Sequence, residues 1–453
     1  MIAQRRLVPP TLPGFRLLAR WFPTLPAYLL KLTAQRGHAV RFRTFQTDIY
    51  VFSEPALVED VLVTKSSSFR KGRGTQRLVR LLGRGLLTAD QPNHLRQRRL
   101  VQPAFHRKRI DGYAQVMVER TRALVEGWRP GETIDVDREM NHLALEIVSL
   151  ALFGSDLSGD IDTIASALDD ALATFPFAIL PFTEFFDDIP IPPTRRLRSA
   201  RARLDAVVFR MIAEHRAGAG NPDDLLSMLL SSEDDERTGL SDVAVRDEAM
   251  TILLAGHETT ANALAWTVYL LQRNPAIAAK LAGQLDDVLG GRDATVEDLP
   301  RLDYVRAVFA ETMRLYPPAW ITARRALAPV DVGPYTLRRG DVAMVSQYVS
   351  HRDPRYFPDP ERFDPERWLG GAAPPKFAYF PFGGGNRVCI GESFAWMEGV
   401  LVLATILQRV ELTRVDDAPV RTLPLVTLRP KSPIRARVDP LKATPAGPEL
   451  ALR

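Results

Sequence analysis

A helical pattern of apolar positions covers most of the chain from residue 109 to about 271. Its longest unbroken part opens near Ser241, an acceptable N-cap followed by Asp242 in the first turn, and runs through Trp266 to about Leu271. Before this region, residues 39–52 read as paired strands and residues 57–64 as a short helix. Strand-like pieces return over residues 326–346, a proline-rich meander spans 352–382, and a last long helix runs from 391 to about 410. Beyond Asp439 the sequence Leu-Lys-Ala-Thr-Pro-Ala-Gly-Pro reads as a loose tail. The pattern predicts a mainly α chain with a smaller β-rich part, an α+β fold.

Composition narrows this picture. With 453 residues, 46% of them hydrophobic, the chain can bury a large core, either as two or three ordinary domains or as one large one. No Gly/Ser-rich linker, charge block or internal repeat divides it. A formal charge of +5 spread over this length is too dilute to argue for nucleic acid. The best N-terminal apolar stretch is interrupted by Arg16, Arg20, Pro23, Pro26 and Lys31, so neither a transmembrane anchor nor a signal peptide is expected. The apolar patch at residues 15–30 reads as core or as lining of an access channel, with peripheral membrane contact as the alternative. One cysteine cannot form an internal disulfide, and a soluble, cytoplasmic protein is the expectation.

That cysteine, Cys389, lies in Phe-Gly-Gly-Gly-Asn-Arg-Val-Cys-Ile-Gly at residues 382–391, ahead of the last helix. A lone cysteine is usually inert packing. Here the glycines Gly383, Gly384 and Gly385 let the backbone fold back and a flat cofactor approach. The start of a helix favours a thiolate over a thiol. A thiolate is a suitable proximal ligand for an iron porphyrin. Phe382 is placed to cover the sulfur side of such a ring, and the forked donors of Arg387 to reach a propionate. The decapeptide resembles the haem-binding loop of the cytochrome P450 superfamily.

Further motifs stand in that family's order. Glu311-Thr-Met-Arg314 matches Glu-x-x-Arg, with both charges on one helical face. The family's third partner is an arginine in a Pro-Glu-Arg-aromatic segment, and the spacing to the cysteine selects Arg367 over Arg362. Ala255-Gly256-His257-Glu258-Thr259-Thr260 falls inside the long helical pattern, where Ala255 and Gly256 leave room for a diatomic ligand. A mid-helix threonine bonds back to the carbonyl four residues earlier, which by itself predicts only a bend. The resemblance implies more for Glu258 and Thr259: an acid–alcohol pair, the alcohol hydrogen-bonding to dioxygen and the acid relaying protons. It also implies His94 and Arg98, on one face of a helix, as partners of one propionate, with His94 standing where the family has tryptophan. Arg324 best matches the other propionate arginine, and Gly391 closes the cofactor loop.

Carried over, the resemblance implies one domain at residues 1–438, a tail at 439–453, and haem b (iron protoporphyrin IX) between the long central helix and the Cys-loop helix, with Cys389 as its metal ligand. The expected reaction is insertion of one oxygen atom of O2 into a lipophilic small molecule. Electrons would come from a separate ferredoxin or flavodoxin with an NAD(P)H-dependent reductase, because no flavin or iron–sulfur segment follows. Arg96, Arg99, Arg107, Lys108 and Arg109 suit an acidic redox protein. A monomer is expected. The implied pocket wall is apolar: the segment after Phe69, residues 175–186, Ala255, residues 320–322 and residues 423–426. Fatty acids, terpenes and polyketides all suit it. A peroxide-driven or rearranging enzyme of the same fold is the alternative, and the intact Glu258-Thr259 pair argues against it. A nonenzymatic haem carrier or gas sensor is the reading from another class, and no signalling or DNA-binding module supports it.

Overall fold

The computed structural model describes residues 8–14, 24–44, 47–218, 221, 224–232, 240–371 and 373–440. Residues 15–23 of the N-terminal apolar patch, the side chain of Lys108 and the tail from 441 lie outside the described residues. The principal helices are α1 (Asn93–Val101), α2 (Arg107–Gly127), α3 (Val136–Phe153), α4 (Ile161–Ala173), α5 (Pro192–Arg216), α6 (Asp242–Arg273), α7 (Asp303–Leu315) and α8 (Glu392–Leu407). Ser241 caps α6 by accepting a hydrogen bond from the Ala244 N–H at 3.2 Å, which satisfies one of the free donors of the first turn. From Val245 to Leu271 every residue of α6 is buried except Ala255, Gly256 and Thr259. A helix buried on all faces needs partners all round. It packs on α3, α5, α7 and α8 in the largest apolar cluster of the molecule.

Six strands form the main sheet: β1 (Thr11–Pro13), β2 (Ala39–Arg43), β3 (Asp48–Phe52), β4 (Phe69–Lys71), β5 (Thr322–Ala326) and β6 (Val342–Val345). Their order is β1-β2-β3-β6-β5-β4, so the N-terminal hairpin shares one sheet with strands 322–326 and 342–345. The antiparallel register of β4 and β5 sets Lys71 opposite Arg324. A hairpin of Thr422–Pro424 and Leu428–Pro430 lies against α6, where the Trp266 indole N–H donates to the Leu428 carbonyl at 3.0 Å.

Several boundaries differ from the pattern-based expectation. The return to strand begins at Thr322, because Thr322 to Arg325 pair with β6 although the arginines disguise the apolar alternation. Residues 57–64 divide between a short helix, Pro55–Glu59, and a π-type turn, Asp60–Thr64. Among the described residues the helical region contains one strand, Thr133–Asp135, and α8 stops at Leu407, with Val410 already in strand.

Candidate active site

The Cys loop folds as its glycines require. Gly383 and Gly385 have φ of 76° and 68°, and a Cβ on Gly385 would stand 2.2 Å from the Leu62 carbonyl oxygen. The Cys389 N–H donates to the Phe382 carbonyl at 3.0 Å, closing the loop ahead of α8. The Phe382 ring lies 5.8 Å from that of Trp396, which fixes its position beside the cysteine. Cys389 borders open space and is exposed, yet its flanks are packed among protein groups. That burial pushes the thiol up to about 11, while the Gly391 N–H opposes it. The helix start alone therefore does not stabilise a thiolate here, contrary to the expectation from sequence: desolvation outweighs it, and a cation at the sulfur would be needed to reverse the balance.

The three accessible positions between Val245 and Leu271 mark where α6 is left unpacked. Thr259 Oγ1 donates to the Ala255 carbonyl at 2.6 Å. Ala255 is exposed, and Gly256 has a packing task as well: a Cβ there would meet Val148 Cγ2 at 2.9 Å, so its missing side chain lets α3 approach. Glu258 points away into the protein and is 2% exposed. Its Oε1 accepts from Thr427 Oγ1 at 2.6 Å, Arg429 Nε stands 3.7 Å away, and Arg429 also donates to Asp169 at 2.7 Å. Burial raises the Glu258 carboxyl, opposed first by Arg429.

A cluster of nitrogen bases and cations gathers from distant segments. His94 and Arg98 of α1, Arg324 of β5 and Arg387 of the Cys loop act on one another electrostatically, together with Lys71 of β4. Arg98 donates to the Val388 carbonyl at 2.8 Å, and Arg387 to that of Ala89 at 3.0 Å. Lys71 is buried, and its Nζ donates to the Leu86 carbonyl at 3.2 Å. Burial, then Arg387 and Arg324, lower Lys71 to about 6; burial, then Arg387 and Lys71, lower His94 to about 3; burial, then Arg387, lowers Arg324 to about 10. Asp90 opposes this accumulation, and buried His94 Nδ1 has no hydrogen-bond partner among the described residues. Such a site fits a ligand bearing carboxylates. With the lone thiol of the glycine loop beside Arg98 of this cation cluster, the residues present fit haem.

Beneath the loop, Glu311 and Arg314 of α7 are fully buried and pair through two contacts of 2.8 Å. Arg367 Nε joins Glu311 at 3.1 Å, as do the Trp368 indole N–H at 2.9 Å and the Asp364 N–H at 2.9 Å. Arg362 offers only its carbonyl, to Arg314.

Of the expected pocket wall, Trp320 is buried, its N–H donating to the Leu425 carbonyl at 3.2 Å. Phe182 and Phe185 instead are 72% and 75% exposed, so these rings do not line the interior. Sequence reasoning missed Lys71, Trp368, Thr427 and Arg429. The aromatic after the selected Arg367 was the one local signal for Trp368; the others are brought in only by tertiary contact.

No helix among the described residues is long and apolar enough to cross a membrane. Comparison with known proteins gives one answer. Cyclooctatin synthase of Streptomyces melanosporofaciens is 38% identical over 421 residues, covering 92% of this chain and 91% of that protein. Cyclooctat-9-en-7-ol 5-monooxygenase of the same organism is 37% identical, covering 86% of each chain. Pentalenene oxygenase of Streptomyces avermitilis is 33% identical, covering 91% of this chain and 92% of that protein. With the family model of cytochrome P450 matching residues 17–437 as well, the chain belongs to the cytochrome P450 family.

Proposed function

We propose that the lipophilic substrate of this cytochrome P450 monooxygenase is a cyclic terpenoid. The observation that supports this reading is the near full-length similarity to enzymes whose names specify cyclooctat-9-en-7-ol and pentalenene as substrates. An apolar wall that includes Trp320 and Leu425 suits a rigid hydrocarbon skeleton with few polar handles.

Cys389 would hold the iron of haem b, with Phe382 on the sulfur side and Gly391 leaving the loop room to pass. His94, Arg98, Arg324 and Arg387 would hold the cofactor carboxylates. Bound haem supplies dioxygen activation by a thiolate-ligated iron. Thr259 Oγ1 would turn its proton from the Ala255 carbonyl toward the haem side, Glu258 would deliver protons there by leaving Thr427, and Ala255 and Gly256 keep that stretch of α6 narrow. Residues 1–438 act as one unit, as a monomer in the cytoplasm, with a ferredoxin or flavodoxin supplying electrons. Ligand-induced optical shifts decide the substrate class: cyclic terpene alcohols and hydrocarbons should bind in the micromolar range and yield hydroxylated product. Binding and turnover of long-chain fatty acids or macrolactones alone would overturn it.

A further inference from the structure

Glu258 belongs to a buried polar chain assembled from three elements. Its carboxyl on α6 meets Thr427 at 2.6 Å and Arg429 at 3.7 Å, both from the C-terminal hairpin. Asn262, one helical turn on, donates to the Glu258 carbonyl at 2.7 Å and to Thr427 Oγ1 at 3.3 Å, fixing the threonine from behind. Arg429 continues to Asp169 of α4, whose side chain is 62% exposed, so its two contacts bridge a fully enclosed acid and solvent. The hairpin is held to α6 by Trp266 and through Leu425 to Trp320, so these side chains cannot drift independently of the helix.

We infer that Thr427 and Arg429 are positioning residues for the acid, Thr427 fixing the Glu258 carboxyl and Arg429, shared with Asp169, governing when that carboxyl holds its proton. The inference rests on the reading of Glu258 as the proton-passing acid, and it deepens that reading by naming what controls it. The charged groups facing this chain are Arg429 from the hairpin, Asp169 from α4 and Asp137 from α3, with His257 of α6 and His142 of α3 beyond them. Burial disfavours the ionised acid; Arg429 and the Thr427 hydrogen bond favour it; Asp169 and Asp137 disfavour it. The partners therefore act in opposite directions. Removing Arg429 or the Thr427 hydroxyl must raise the acid, whereas neutralising Asp169 removes a like charge and leaves more of the Arg429 charge to Glu258, which must lower it. The hairpin turn that carries Thr427 also carries Leu425 toward the expected substrate wall, so one element serves both the acid and the pocket.

The test is infrared titration of the Glu258 carboxyl stretch in the haem-loaded resting protein, the band being assigned by its loss in Glu258→Gln. Arg429→Met should move its midpoint up by about one pH unit or more, Thr427→Val up by less, and Asp169→Asn down. If Arg429→Met does not fold, the opposite shifts of Thr427→Val and Asp169→Asn still decide. Midpoints that stay put, shifts of one sign in all variants, or no titrating band in the wild type would each overturn the inference. Product per NAD(P)H in Glu258→Gln separately tests whether this carboxyl serves the reaction. Shifted midpoints with unchanged coupling would uphold the network and remove Glu258 from proton delivery.

Discussion

Arg367 Nε reaches Glu311 Oε1 across 3.1 Å and joins a carboxylate that already holds Arg314, so a single buried acid takes charge from two cations. Removing Glu311 leaves Arg314 enclosed without its counter-charge, which costs about 3–5 kcal/mol. Glu311→Ala should therefore give poorly folded protein with a low haem-to-protein ratio. Arg362→Ala keeps the carbonyl that Arg314 uses and should lie within about 1 kcal/mol of wild type in denaturant unfolding.

Cys389 is the only sulfhydryl that can ligate the iron. The reduced carbon monoxide complex should show the strongly red-shifted absorption of a thiolate ligand, and Cys389→His should lose it while keeping haem. An unshifted wild-type spectrum would remove the thiolate from the mechanism.

The Thr259 hydroxyl spends its proton on the Ala255 carbonyl at 2.6 Å, and that bond alone would make it a helix feature. If it also guides protons to oxygen, Thr259→Ala should retain haem and substrate binding but divert electrons to hydrogen peroxide. Product and peroxide per NAD(P)H measure this, and unchanged coupling would assign the hydroxyl to the helix.

Lys71 supplies a pH test. In the free protein, burial and then Arg387 and Arg324 lower it to about 6, so at about pH 8 it is neutral. Carboxylates beside it favour the ammonium form, so Lys71 should take up a proton on haem loading at about pH 8 and none at about pH 5, where it is already charged and any uptake reports His94. Affinity should then fall as pH rises above about 6, by at most about tenfold per unit for one proton, until the pKa of the loaded state is passed. Indicator-dye measurement in weak buffer checks this, and Lys71→Met should abolish the uptake.

Arg99 is exposed on α1, on the face turned away from buried His94. Charge reversal there should slow electron transfer from an acidic ferredoxin chiefly at low salt, where steering is unscreened. Stopped-flow reduction at two ionic strengths decides it.

How far the chain could be read followed from the range of each interaction. The cap at Ser241 and the helix it opens depend on residues a few positions apart, and both were legible. Arg367 was separable from Arg362 because spacing to Cys389 distinguishes two otherwise equivalent Pro-Glu-Arg segments. Thr427 and Arg429 were not legible: Thr427 reaches Glu258 from 169 residues away, and no local period reports such a contact. Lys71 was hidden for the same reason, since only the β4–β5 register places it beside Arg324. The packing task of Gly256 was hidden as well, because the α3 side chain that needs its missing Cβ is equally remote. The surroundings of Cys389 were not legible either, because a helix terminus is visible in sequence and the groups that push the thiol up are not.

The solitary thiol also turns the protein into its own assay. Cys389 borders the cleft and no second cysteine competes for a reagent, so every equivalent of mercurial consumed by a preparation counts one molecule with free sulfur. Because burial holds this thiol near 11, carbon electrophiles that need the thiolate should react slowly at neutral pH, and their rate should climb with alkalinity. Sulfur titration and absorbance together would then separate unloaded chains from loaded but damaged ones, a distinction that absorbance alone does not make.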